Sequence, residues 1–155
     1  MADHPHADVV RRAYAAFAAQ DVPALVQLFV PDARWRSAGR NWLVGEYVGV
    51  EAILGFFTAI DAYSEGTYRT DLHDVLANDE RAVALHCSSA HRSDGKAMSV
   101  DAAVEFHFRD GRIASVRAWP WDLYEEDAFY GVEPPPGTAR PARGVNADPV
   151  AAERT

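Results

Sequence analysis

A chain of 155 residues, 48% of them hydrophobic, can bury one core, so we expect a single domain. The formal net charge of −8 argues against nucleic acid and anionic membrane surfaces as partners, because both are bound through Lys and Arg. The single cysteine excludes an internal disulfide, and no apolar run reaches the roughly 18 residues of a membrane span. We therefore expect a cytoplasmic protein.

The first half of the sequence predicts three helices. Apolar residues recur at three- and four-residue spacing from Asp8 to Gln20 and again from Glu51 to Tyr63, which indicates two amphipathic helices. Between them, Asp21 is placed to cap a short helix that Pro31 would end. Residues 33–37 are a strand candidate, and the glycine-rich stretch that follows them is expected to be irregular.

The second half alternates between apolar and polar residues, the pattern of strands with one buried and one solvated face. It predicts strands over residues 67–77, 81–92, 97–109 and 112–122. Three helices followed by antiparallel strands indicate an α+β fold in which the helices pack on one face of a curved sheet.

The composition changes after Tyr130. Five of the 9 prolines lie in residues 131–155, which contain almost no large apolar side chain. Such a segment buries too little surface to offset its ordering entropy. We therefore expect a domain over residues 1–130 and a disordered, proline-rich tail over residues 131–155.

Turn chemistry decides which strand residues share a face. At residues 109–111, a two-residue loop would place Phe106 opposite Ser115 and mix polar with apolar residues. A three-residue turn with glycine in the bulge position places Val104 opposite Val116, so we predict this turn. The same reasoning at residues 93–95 places Ala102 opposite His86.

The two predicted sheet faces differ in character. The inner face combines small and aromatic residues with two titratable groups, which suits a ligand cavity. It comprises Ala84, His86, Ser88, Met98, Val100, Ala102, Val104, Phe106, Phe108, Val116, Ala118, Pro120 and Asp122. The outer face is half apolar and half charged, which suits a homodimer interface. It comprises Leu85, Cys87, Asp101, Glu105, His107, Arg117, Trp119 and Trp121.

Three segments resemble the NTF2-like superfamily, and within it the SnoaL-like and ketosteroid-isomerase-like branch: VVRRAYAAFAAQD, VGEYVGVEAILGFF and FHFRDGRIASVRAW. The resemblance covers about Ala7 to Tyr130. It implies an NTF2-like cone, in which three N-terminal helices and a curved antiparallel sheet enclose an apolar pocket, usually in a dimer. The activity it implies is that of a cofactor-independent cyclase, isomerase or epoxide hydrolase acting on a small hydrophobic, polyketide-like molecule. The alternative is a non-catalytic module that binds a small ligand or dimerises.

Asp122 is the strongest catalytic candidate. Neighbouring Trp and Pro side chains would desolvate its carboxylate and raise its pKa toward that of a useful general base. In SnoaL-like cyclases and limonene-epoxide-hydrolase-like enzymes, an aspartate at this end of the last strand transfers protons, and Asp122 occupies the similar place. The alternative is that Asp122 caps a short C-terminal helix, and Pro120 could also turn it to the other face.

Two histidines are further candidates. His86 is placed mid-strand on the inner face as a second catalytic residue, although a strand histidine is often a satisfied interior group. The predicted register puts it more than about 10 Å from Asp122 on standard sheet spacings. His73 is a candidate substrate contact together with Asp71, but a two-residue loop at Asn78 would turn both inward and a three-residue loop would turn both outward.

The remaining candidate substrate contacts are apolar or aromatic residues, for which a plain core position is the alternative. They are Tyr14, Trp35, Met98, Val104, Phe106 and Ala118. The residues that ketosteroid isomerases use are absent, because the matching positions hold Ala13, Ser37 and Val104. We expect neither a metal nor a nucleotide cofactor, because the chain has no helical His pair at ligand spacing, no P-loop and no dinucleotide fingerprint.

Overall fold

The computed structural model describes residues 3–144, which form helices on one face of a six-stranded sheet. The elements are α1 (Pro5–Ala18), α2 (Val22–Gln27), β1 (Phe29–Ser37), β2 (Gly45–Val48), α3 (Val50–Tyr63), β3 (Arg69–Ala77), β4 (Arg81–His91), β5 (Ala97–Arg109), β6 (Arg112–Pro120) and α4 (Leu123–Tyr130). Helix α1 packs on β3 and β4, α3 on β1 and β2, and α4 on β5. The predicted α+β fold is confirmed, with a fourth helix added.

Capping decides where the first helices begin. The Asp21 side chain accepts a hydrogen bond from the Ala24 backbone N–H at 3.1 Å, so α2 starts where the sequence predicts. Helix α1 starts earlier than predicted because the His4 ring accepts from the His6 backbone N–H. Pro31 does not end α2. It lies in β1, where the pairing with β6 is interrupted between Phe29 and Arg34 and no ladder N–H is needed.

The sheet has the strand order β2-β1-β6-β5-β4-β3. The sequence predicts a wholly antiparallel sheet, and the structure differs at one pair of strands. Strand β1 runs parallel to β6, while the other neighbouring pairs are antiparallel. This pairing is possible because a helix and four strands separate β1 from β6 in the chain, which leaves room for a crossover. The short strand β2 lies in the glycine-rich stretch expected to be irregular.

The predicted turn between β5 and β6 is wrong. Asp110 and Gly111 form a two-residue loop with φ of 53° and 76°, and Arg109 lies opposite Arg112. The mixed face that such a loop would produce is avoided by a bulge at Ala114, the extra residue on β6.

The consequence is a register shifted by two residues, with the faces preserved. Val104 lies opposite Ala118, not Val116, and Phe106 lies opposite Val116. Because side chains alternate with a period of two, a two-residue shift leaves each residue on its predicted face. The predicted pairing of β4 with β5 is confirmed, with His86 opposite Ala102.

The C-terminal part of the described chain lies against the domain. The backbone N–H of Val48 donates to the Arg143 carbonyl at 2.8 Å, and the Arg140 guanidinium donates to the Trp42 carbonyl at 3.0 Å. The Arg143 guanidinium also stacks 4.6 Å from the centre of the Tyr47 ring. The predicted tail therefore packs on the domain as far as residue 144, and residues 145–155 lie outside the described range. Among the described residues, no helix combines the length and apolar character needed to cross a membrane.

Candidate active site

A cavity of about 110 Å³ lies between the inner sheet face and the helices. This volume is several times the roughly 10–15 Å³ that one water molecule occupies on the same measure. Its lining is mostly aliphatic and aromatic, as is typical of sites for small hydrophobic molecules. The polar groups in its wall are those of Tyr14, Ser37, Asn41, Tyr68, Thr70, His86, Ser88, Glu126 and Tyr130.

Most of the residues that the sequence assigns to the site line this cavity. They are Tyr14, Trp35, His86, Met98, Val104, Phe106 and Ala118. They come from α1, β1 and three strands of the central sheet, so the fold brings together residues that are far apart in the chain. Asp122 and His73 are not among the lining residues.

Asp122 is instead the N-cap of helix α4. Its carboxylate accepts a hydrogen bond from the Glu125 backbone N–H at 3.1 Å. Strand β6 ends at Pro120, and the chain then turns into the helix, so the alternation that placed Asp122 on the inner face stops before reaching it. The expectation that Asp122 faces the cavity is corrected, and the capping alternative describes its position.

His73 lies on the edge strand β3 and does not line the cavity. It is the extra residue of a bulge in β3, because Leu72 pairs with His86 and Asp74 pairs with Leu85. Its side chain is 52% exposed, and its Nε2 lies 3.6 Å from a carboxylate oxygen of Asp71. The expectation that His73 contacts the substrate is therefore corrected, since its side chain is largely exposed to solvent and is not part of the cavity wall.

Tyr14 and His86 form a polar pair inside the cavity. The Tyr14 hydroxyl lies 2.6 Å from His86 Nδ1, which joins helix α1 to the middle of β4. Burial lowers the pKa of His86 to about 4, with a smaller contribution from the His73 charge, and burial raises the pKa of Tyr14. Both side chains are therefore neutral at pH 7, and the pair offers hydrogen bonds without a net charge.

Glu126 provides a carboxyl group in the cavity wall, and sequence reasoning did not identify it. Burial, with a smaller contribution from the charge of the adjacent Asp127, raises its pKa to about 7. The signal that could have found it is helical spacing. Phe129 and Tyr130 are buried core residues three and four positions later, so a helix places Glu126 on the same inward face.

Two tyrosines of the cavity wall interact electrostatically with the Glu126 carboxyl. Burial raises the pKa of Tyr68 and of Tyr130, and the Glu126 charge raises both further. The Tyr68 hydroxyl also interacts with Ser88, which lies two residues from His86 on the same strand face. This end of the cavity therefore combines one carboxyl group of raised pKa with neutral hydroxyls that can donate hydrogen bonds. Within residues 3–144, no group of three His, Cys, Asp or Glu residues could hold a metal ion.

The comparison with known proteins agrees with this architecture. The model of the SnoaL-like domain matches residues 10–116. The chain belongs to the SnoaL-like family. An uncharacterised protein of Mycobacterium tuberculosis is 31% identical to this SnoaL-like chain over 131 residues, which cover 84% of the chain and 99% of the relative. The resemblance stated from the sequence is thereby confirmed.

Solved structures show the same fold. Bal32a, from a soil-derived mobile gene cassette, is 35% identical with a TM-score of 0.79, covering 82% of this chain and 97% of its own. An NTF2-like protein of Burkholderia pseudomallei is 19% identical with a TM-score of 0.71, covering 83% and 98%. A proposed polyketide cyclase of Pseudomonas putida is 20% identical with a TM-score of 0.64, covering 83% and 100%. The last two likenesses concern the fold alone.

Proposed function

We propose that this SnoaL-like protein is a cofactor-independent enzyme of the cyclase or isomerase type that moves a proton on a small hydrophobic substrate. The observation that carries the proposal is the Glu126 carboxyl, which lies in the wall of a mostly apolar cavity and has its pKa raised to about 7. A general acid or base works best when its pKa is near the working pH. Membership of the SnoaL-like family supports this reaction type.

Glu126 takes the role that the sequence assigns to Asp122. Its carboxylate would remove a proton from a carbon next to a carbonyl group, leaving an enolate, and its carboxylic acid would return a proton to the product. The Tyr14–His86 pair is a second polar position in the same cavity and can donate a hydrogen bond to a substrate oxygen. The apolar walls exclude water and so strengthen both interactions.

The proposal is tested by replacing Glu126 with Gln and Asp122 with Asn. The assay is deuterium uptake by 2-indanone, a small apolar ketone, followed by proton NMR in heavy water. We expect Glu126→Gln to slow exchange by about 10²- to 10⁴-fold, the usual contribution of general acid–base catalysis. Asp122→Asn is the matched control, because Asn caps a helix about as well as Asp and exchange should be retained.

Two outcomes would contradict this assignment. Exchange that is equally fast in wild type and Glu126→Gln would remove Glu126 from the reaction. Loss of exchange in Asp122→Asn alone would return the role to Asp122. A parallel incubation with styrene oxide shows whether the cavity opens epoxides, because a diol product then forms.

Ligand binding without turnover is the second candidate function. The observation that favours it is the mostly apolar lining, which suits a small hydrophobic ligand whether or not a reaction follows. In that case toluene would bind with the same affinity at pH 6 and pH 8, on either side of the Glu126 titration. Neither 2-indanone nor styrene oxide would then be converted.

A further inference from the structure

We propose that Asp127 is a positioning residue for this site, fastening one wall of the cavity to helix α4 and shaping the charge environment of Glu126. The inference rests on the proposed function of Glu126 and adds to it a residue that does not line the cavity. Three features carry it: the hydrogen bonds that Asp127 accepts, the close approach of Gly39, and the position of Asp127 beside Glu126.

The Asp127 carboxylate accepts four hydrogen bonds from the segment between β1 and β2. The Arg40 backbone N–H donates to Oδ1 and Oδ2 at 2.9 and 3.0 Å. The Asn41 backbone N–H and side-chain amide donate to Oδ1 at 3.1 and 2.8 Å. Hydrogen bonds to an ionised acceptor are about twice as strong as neutral ones, so this carboxylate holds the segment firmly.

The segment that Asp127 holds is part of the cavity wall. Asn41 lines the cavity, and its Oδ1 accepts a hydrogen bond from the backbone N–H of Leu43, which also lines the cavity. The Trp42 backbone N–H donates to the carbonyl of Gly131, just after α4. Helix α4 therefore carries Glu126 and, through Asp127, also anchors this part of the cavity wall.

Gly39 shows how closely the two parts approach. A Cβ atom at this position would lie 2.5 Å from Asp127 Oδ1, and the residue has a φ of +114°. Only glycine meets both conditions without strain, because it has no Cβ and adopts positive φ freely. Gly39 and Asp127 therefore form the contact between helix α4 and the segment that joins β1 to β2, which we call the junction.

The charge of Asp127 acts on Glu126 through their adjacency. A like charge nearby disfavours ionisation, and Asp127 raises the pKa of Glu126 beyond the effect of burial. The other titratable groups facing Glu126 are Tyr68, which precedes β3, and Tyr130 on α4, and raised pKa values keep both protonated at neutral pH. Glu125 is directed to β5, where its carboxylate accepts from the Ser99 backbone N–H at 3.0 Å.

The test compares the full-length protein with Asp127→Asn and Glu125→Gln. Asp127→Asn keeps the side-chain shape and an acceptor oxygen but removes the charge. We expect Glu126 to titrate about one pH unit lower in Asp127→Asn, consistent with the loss of a neighbouring like charge. Glu125→Gln is the matched control on the same helix and should leave the titration unchanged. Glu126 is titrated directly by carbon NMR of protein labelled at glutamate carboxyl groups.

The same variants separate this proposal from the function assigned above. The NMR titration needs no turnover, so it can succeed even if Glu126→Gln retains 2-indanone exchange. An unchanged Glu126 titration in folded Asp127→Asn would overturn the proposal. If Asp127→Asn does not fold, Asp127→Ser, which also lacks the charge, replaces it with the same expectation.

A steric variant tests the anchoring part alone. Gly39→Ala pushes the segment away from Asp127 while leaving every charge in place. We expect it to raise the KM for 2-indanone by several-fold and to leave the Glu126 titration unchanged. An unaltered KM would show that the cavity wall does not depend on this junction.

Discussion

At the scale of single residues, burial in the cavity wall disfavours the charged form of two side chains, His86 and Glu126. His86 has its pKa lowered to about 4 and Glu126 has its pKa raised to about 7, so desolvation favours the neutral form of each. His86 has the Tyr14 hydroxyl as a hydrogen-bond partner. Glu126 lies in the apolar wall with a like charge next to it, so its ionised form opposes folding.

The cost of ionising Glu126 in the folded protein predicts how the free energy of unfolding changes with pH. The pKa of Glu126 is raised in the folded state from an ordinary value of 4.5. Between pH 4.5 and about 7 the unfolded chain is therefore ionised at Glu126 while the folded chain keeps the proton, and stability falls as the pH rises. We expect Glu126→Gln to be more stable than wild type at pH 8 by roughly 3–4 kcal/mol, from about 1.4 kcal/mol for each pKa unit between 4.5 and about 7.

Urea unfolding at pH 4.5 and pH 8 measures this difference. The two proteins should be about equally stable at the lower pH and diverge at the higher one. Glu125→Gln, in which a neighbouring carboxylate is replaced, should follow the wild type at both. A Glu126→Gln protein that is less stable than wild type at pH 8 would show that the ionised carboxylate is well accommodated.

At the scale of elements, the turn between β5 and β6 sets the register of the sheet. Its second residue, Gly111, has a φ of 76°, and a two-residue hairpin loop of this kind needs a residue that adopts positive φ freely. Gly55, in the exposed middle of α3, has open space around the position of a Cβ atom. The backbone conformation of the turn therefore favours glycine at position 111, whereas helix α3 has room for a larger residue at position 55.

We expect Gly111→Ala to destabilise the domain by about 1–2 kcal/mol, the cost of the left-handed conformation for a residue with a Cβ atom. Gly55→Ala is the matched control and should stabilise it by about 0.5–1 kcal/mol, because alanine is the better helix former. Thermal unfolding of the three proteins gives the comparison. A stable Gly111→Ala variant would mean that the turn is not held in this conformation.

Alternation along the strands predicted their faces, but it did not predict their bulges. The inner-face positions of β4, β5 and β6 were predicted because alternation survives an even shift in register, although the turn itself was wrong. The bulges at His73 and Ala114 were not predicted, because each depends on which neighbouring strand the chain meets. Glu126 was missed because its facing depends on helix α4, which the sequence raised only as an alternative for Asp122.

At the scale of the whole molecule, the outer sheet face leaves large apolar side chains in solvent. Trp119 is 52% exposed, Trp121 89% and Leu85 39%. Charged residues on the same face, including Glu105 and Arg117, adjoin them in the sheet. An apolar centre with polar neighbours is typical of protein interfaces, so we expect the protein to form a homodimer through this face.

Light scattering coupled to size-exclusion chromatography tests this expectation. The wild type should elute as a dimer, and Trp119→Glu should elute as a monomer with an unchanged circular dichroism spectrum, because it places an unpaired charge in the interface. Val22→Glu is the control, since Val22 is similarly exposed at 47% but lies on α2, away from the sheet. A monomeric wild type would contradict the prediction.

The sequence by itself determined the fold class and which residues of β4, β5 and β6 line the cavity. Helical and strand periodicities are local properties, and they place residues such as Val104 and His86 on the same face as their apolar neighbours even when the register is shifted by two residues. Only the tertiary structure decided which carboxyl group enters the cavity. Pro120 ends β6 and the chain turns into α4, so Asp122 caps the helix and Glu126, one turn later, faces the apolar interior. That choice depends on where α4 packs against β5, which no local pattern specifies.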